Sequence, residues 1–203
     1  MTNVELIEDL RCWIKEEIAP RVELKVPSED VDDVDYEPEF ANPSVFSYFV
    51  PPSSVNADLP HAPSICVQFL DTEEQFKGIG TGEKSIRVRI SFIVWNPGEH
   101  VVFEPHEDIS KLGGVAYTPN TEGYARTLDG WKDLVNLQDE TLKHIKETEY
   151  IKGMRVDLDK GIKYGMYKDE EDSIYLFYPY WQGYIDFSVK LGATRVASDL
   201  LDI

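Results

Sequence analysis

Two histidines six residues apart, His100 and His106, stand in the stretch GEHVVFEPHED beside Glu99, Glu104, Glu107 and Asp108. Imidazole and carboxylate are the ligand types that hold transition metals. A small metal-dependent hydrolase centred on His100, His106 and Glu104 is therefore one candidate. The spacing matches no zinc signature such as H-E-x-x-H, and carboxylates near histidine are expected by chance in a chain this acidic. His61 follows Pro60, and His144 lies between Lys143 and Lys146 on a helical segment; neither has a nucleophile near it in sequence. The glycines of KGIGTGEK lack the G-x-x-x-x-G-K-[ST] order of a phosphate loop. They join two strands, with no helix N-terminus following to bind phosphate. Cys66 falls inside a strand pattern and reads as inert filler. The expectation is no catalytic residue, no metal and no cofactor, a profile that suits a structural or assembly module.

The elements that would position any site are more legible. TNVELIEDLRCWIKEEI carries Ile7, Leu10, Ile14 and Ile18 at helical steps, with a capping-box pattern at Thr2 and Glu5 and Pro20 as its end. The stretch PSVFSYFVPP contains a short strand over Val45 to Val50. SICVQFL and KSIRVRISFIVW alternate and predict an antiparallel pair joined by a hairpin. In the second of these Ile86, Val88, Ile90, Phe92 and Val94 face one way, and Arg87, Arg89 and Ser91 the other. WKDLVNLQDETLKHIKE is a second helix, with a stripe of Trp131, Leu134, Val135, Leu142 and Ile145 interrupted by Gln138, and with Asp129 as its cap. The weaker segments MRVDL and IKYGMY are extended.

The densest aromatic stretch, FYPYWQGYIDFSV, has a period of two. Trp181, Gly183, Ile185, Phe187 and Val189 form a dry face; Tyr180, Gln182, Tyr184, Asp186 and Ser188 form a wet one. SIYLFY is expected to be its antiparallel neighbour, turning near Pro179. Most of this ring surface belongs to a core. Tyr180 and Tyr184 have two readings, cover for a sheet or a subunit contact.

The chain of 203 residues holds 38 acidic and 20 basic residues, a formal charge of −18. Such a balance argues against nucleic-acid and anionic-membrane partners and leaves room for a protein with a basic face. Two cysteines, Cys12 and Cys66, suggest reduced thiols rather than a disulfide framework. Met1 is followed by neither a basic start nor an apolar run, and no stretch approaches the ~20 apolar residues of a membrane span. A reducing cytoplasm is the expected setting. One domain is expected over 1–203, with an acidic insertion near 28–40 and a long loop near 96–128.

Three patches, in order, resemble tail-terminator-like proteins of tailed phages and prophages of Gram-positive bacteria. They are PSVFSYFVPPSS leading to APSICVQFLD, a strand followed by DGWKDLVNLQDETLKHI, and GIKYGMY followed by YPYWQGYIDFSV. The resemblance implies an α+β fold, a small antiparallel sheet with two main helices packed on one face. It implies a homo-oligomeric ring, commonly a hexamer, at the head-proximal end of the tail tube. There the ring stops tube polymerisation and meets a head-completion or connector protein, without catalysis. Another neck or connector subunit is the alternative within that class. Arg87, Arg89, Tyr180 and Tyr184 are the interface candidates; the arginines would otherwise pair with local carboxylates such as Glu73 or Glu74.

Overall fold

The computed structural model describes residues 2–29, 37–54, 56–78, 81–98, 102–108, 114–120, 130–169, 171–174 and 177–192. The first helix, α1 (Asn3–Glu17), begins as the capping pattern requires. Thr2 N donates to Glu5 Oε2 at 2.7 Å, and Glu5 N donates to Thr2 Oγ1 at 3.2 Å. Its stripe of Leu6, Ile7, Leu10, Trp13 and Ile14 is buried. A 3₁₀ turn over Ala19–Arg21 follows, with Pro20 inside it.

Next come two-residue strands β1 (Leu24–Lys25) and β2 (Phe40–Ala41), paired with each other, and β3 (Ser44–Ser47). Then β4 (Ser64–Gly78) and β5 (Thr81–Trp95) form a hairpin of two fifteen-residue strands. A separate two-stranded ribbon, β6 (Val102–Asp108) with β7 (Gly114–Asn120), precedes helix α2 (Trp131–Glu147). The chain closes with β8 (Tyr150–Ile151), β9 (Met154–Val156), β10 (Lys163–Met166) and β11 (Tyr180–Gly192). The main sheet runs β3-β4-β5-β11-β9-β8, and β10 shares the second edge of β11 with β9.

This architecture overturns the expectation of an α+β protein with a small antiparallel sheet under two main helices. The molecule is mostly β: a seven-stranded sheet curled into a half-barrel, with two α-helices among the described residues. It is also not purely antiparallel, because β3 runs parallel to β4. The physical reason lies in the hairpin. The polar run read as a connection instead continues both strands, DTEEQFKG in β4 and TGEK in β5, with Glu73 opposite Ser85 and Glu74 opposite Lys84. Opposed charges across a strand pair support such an extension, and Lys84 Nζ lies 3.5 Å from Glu74 Oε1. A bulge at Leu70, between Phe69 and Asp71, lets the pattern change faces midway. SIYLFY is not the main partner of β11; β5 is, and residues 175–176 lie outside the described residues.

Helix α1 touches β3 and β4 near one end of the sheet and β8 at the other, so it lies between the two ends of the curl. Lys152, in the β8–β9 turn, pairs with Glu16 at 3.0 Å. Glu8 accepts from Ser47 Oγ of β3 at 2.6 Å and from Arg11 Nε at 2.8 Å. Those bonds, Ser47 foremost, hold the Glu8 carboxyl below its ordinary range.

Helix α2 packs on the same apolar face, against β11 and β5. Its Trp131, expected in the stripe, is instead 42% exposed. The residue that interrupts the stripe, Gln138, is buried, and its Nε2 donates to Gly165 O at 2.9 Å and Tyr184 O at 3.2 Å. The helix therefore needs a polar group there, to satisfy carbonyls of two strands at once. This contact explains the glycine of YWQGY: a Cβ on Gly183 would sit 2.6 Å from Gln138 Nε2 and 2.8 Å from Gly165 O. Gly130, which precedes α2, is equally constrained, since a Cβ there would meet Trp181 Nε1 at 2.2 Å and Asn96 O at 2.7 Å. Asp129, the expected cap, lies outside the described residues.

Gly183→Ala should cost about 1–3 kcal/mol, the usual range for overpacking, read by urea unfolding; wild-type stability would contradict this close approach. Glu8 supplies a pH test. Its folded pKa is depressed, so its contribution is full above the unfolded value of about 4.3 and is lost as pH falls through the folded one. Glu8→Gln should be less stable than wild type at pH 7, with the gap narrowing as pH falls below the unfolded value. A gap independent of pH would contradict the assignment.

Candidate functional site

The face of the sheet turned away from the helices is polar, and strand register arranges it in rows. One row runs Lys163 (β10), Asp186 (β11), Arg89 (β5) and Gln68 (β4); the next runs Ser188, Arg87 and Asp71. Arg89 Nε and Nη2 donate to both oxygens of Asp186, at 2.7 and 2.8 Å. The Asp186 side chain is 13% exposed and that of Arg89 28%. Bidentate geometry and partial burial make this the strongest ion pair of the face. The Arg89 guanidinium stacks 4.5 Å from the centroid of the Tyr184 ring and 5.7 Å from that of Tyr167. Its bond to Asp186 holds the guanidinium above arginine's ordinary pKa, against the opposing effect of burial.

A hydrogen-bonded chain crosses the neighbouring row. Ser91 Oγ donates to Gln68 Oε1 at 3.0 Å, so the Tyr167 hydroxyl, 2.7 Å away, donates to Ser91. Gln68 Nε2 in turn donates to Tyr48 O at 3.2 Å. Burial raises the Tyr167 phenol above its ordinary pKa.

Toward the hairpin tip the pairs are more exposed. Arg87 Nη2 lies 2.7 Å from Asp71 Oδ2, with both side chains about half exposed. Lys160, at the end of a 3₁₀ turn over Leu158–Lys160, reaches Glu73 Oε2 at 2.8 Å. That bond holds the Glu73 carboxyl below its ordinary range. Because β5 lies between β4 and β11, the Lys160–Glu73 bridge passes over β5. Beside it lies an open groove of about 830 Å³, bordered by Ser85, Arg87, Lys163, Tyr184 and Ser188 among others.

The structure thus places both arginines on the outer face, and their carboxylates are Asp71 and Asp186, not Glu73 or Glu74. Tyr184 is half-buried beneath Arg89. Tyr180, expected on the wet face, is 3% exposed and packs with Ala62 and Trp95, which removes it from the surface. Residue order does not single out Asp186 or Lys163 as site residues: alternation marks Asp186 as outward, but only the register reveals what stands opposite.

His100 lies outside the described residues, and Glu104 and His106 fall on β6, opposite Thr118 and Ala116. Among the described residues no group of three or more His, Cys, Asp and Glu is placed to hold a metal ion. His144 Nε2 lies 3.1 Å from Glu140 Oε1, one helical turn away. His61 Nε2 lies 3.1 Å from Ser44 Oγ and its ring meets Phe46 edge-on, which fastens the loop before β4 onto β3. Burial pushes the Cys66 thiol up to about 11, so it is protonated at neutral pH.

No family model and no curated protein matches this chain. Among the described residues no helix is long and apolar enough to cross a membrane.

The two arginines should separate cleanly on mutation. Arg89→Met removes charge-assisted bonds from a partly buried carboxylate and should cost about 1.5–3 kcal/mol. Arg87→Met breaks an exposed pair and should cost no more than about 1 kcal/mol. Urea unfolding of both variants is the measurement; equal losses would contradict the ranking.

Proposed function

We propose that this chain is a structural assembly protein of a tailed phage or prophage, forming a homo-oligomeric ring at the head-proximal end of the tail tube. In this role it ends tube polymerisation and joins the tail to a head-completion or connector protein, and it works within the virion. The observation that carries the reading is the free edge of β4. Strand β3 covers β4 only as far as Val67, yet β4 continues to Gly78. Among the described residues no strand pairs with that further edge. Its N–H and C=O groups form a template for adding a strand from another chain. The hairpin behind it is stiffened by β11, which pairs with β5 out to Glu83.

The three patches that resemble tail terminators support the reading from another direction. In this fold they form the β3–β4 parallel pair, the glycine-dependent start of α2, and strand β11. A ring built from identical edges needs a head-to-tail contact, with two different surfaces on each copy.

Light scattering of the purified full chain should give a closed multiple of the 23.3 kDa protomer, a hexamer being expected. In the phage or prophage that encodes it, loss of the chain should leave tubes of uncontrolled length and heads without tails. Tubes of normal length joined to heads would contradict the role.

A further inference from the structure

A head-to-tail ring requires a surface that recognises a different face of the same molecule, and the outer groove has the chemistry for it. Four cations border the groove, Arg87, Arg89, Lys160 and Lys163, against three carboxylates. The chain as a whole carries almost twice as many acidic as basic residues. The groove is therefore locally cationic on a molecule with charge −18, and carboxylate is the group that any second copy offers in excess.

The cations are not equivalent. Arg89 is held by both oxygens of Asp186, Arg87 by Asp71 and Lys160 by Glu73. Lys163 is exposed, and among the described residues its side chain has no ion-pair or hydrogen-bond partner. It stands opposite Asp186, whose two oxygens are already engaged by Arg89. Arg87, about half exposed, retains further N–H donors beyond its bond to Asp71. Lys163 and Arg87 thus present unused donors around one groove, with the hydroxyl of Ser85 beside them.

We infer that this groove is the cationic half of the contact between copies, and that it receives carboxylate side chains from a neighbouring copy of this chain. The inference rests on the assembly reading and specifies its chemistry. Opposite charges at such a contact set partner choice and register and make association depend on salt.

The test is sedimentation of the full chain over a range of concentration, in low and high sodium chloride. Wild type should assemble, and assembly should weaken as salt rises. Lys163→Glu breaks no side-chain bond within the protomer; the like charge it sets opposite Asp186 should lower the melting temperature only slightly and leave the protomer folded. The concentration for half-assembly should rise about tenfold or more, the equivalent of about 1.4 kcal/mol. Lys163→Arg should assemble like wild type. Lys143→Glu, on the exposed side of α2, adds the same negative charge away from the groove and should shift assembly far less.

If Lys163→Glu assembles at the wild-type concentration, or Lys143→Glu is equally impaired, the groove is not the contact, while the ring reading survives. Salt-independent wild-type assembly also overturns the groove. A wild-type chain that sediments as a monomer at every concentration sinks both.

Discussion

Thirteen consecutive residue pairs join β5 to β11, and the rest of the molecule depends on their register. That alignment puts Val94 beside Trp181, Ile90 beside Ile185 and Val88 beside Phe187 on the face the helices cover. It simultaneously puts Arg89 beside Asp186 on the other face, at bidentate distance. A slip of one residue would turn every apolar side chain outward and separate the charges. The dry core and the charged outer face are two consequences of one pairing.

The helices are fitted to that sheet by a few polar contacts as well as by apolar burial. Gln138 ties α2 to β10 and β11 through their carbonyls. Asn96, just past β5, donates to Asp133 of α2 at 2.6 Å, accepts from Lys25 of β1 at 3.2 Å, and receives the Trp181 indole N–H on its backbone oxygen. Such buried networks fix one arrangement among many of similar apolar burial. They demand glycine at positions 130 and 183, where a side chain would collide with the partners. Gly130 and Gly183 are thus required by packing alone.

The elements whose period is local were legible in the sequence. The capping box of α1, the alternation of β5 and the two-faced pattern of β11 follow from residue order within a few turns or strands. Sheet size was not legible, because Asp71, Glu73 and Glu74 read as loop, and only opposite Arg87, Ser85 and Lys84 do they make strand. Trp131 and Gln138 depart from the stripe in opposite senses, an aromatic left exposed and an amide drawn inward by carbonyls of β10 and β11. The site was half visible: the outward arginines were evident, but their partners lie a long way off along the chain in the case of Asp186. Tyr180 shows the limit of alternation, for its outward position is covered by Ala62 and Trp95.

In this account, recognition belongs to the outer polar face and to the β4 edge that borders it, while the aromatic surface serves as scaffold. Hydrogen–deuterium exchange along β4, compared between dilute and assembled protein, tests that claim most directly. The account predicts that backbone amides between Phe69 and Gly78 gain protection on assembly, while those already paired between β5 and β11 change little. Equal exchange along that edge in the two states would contradict it.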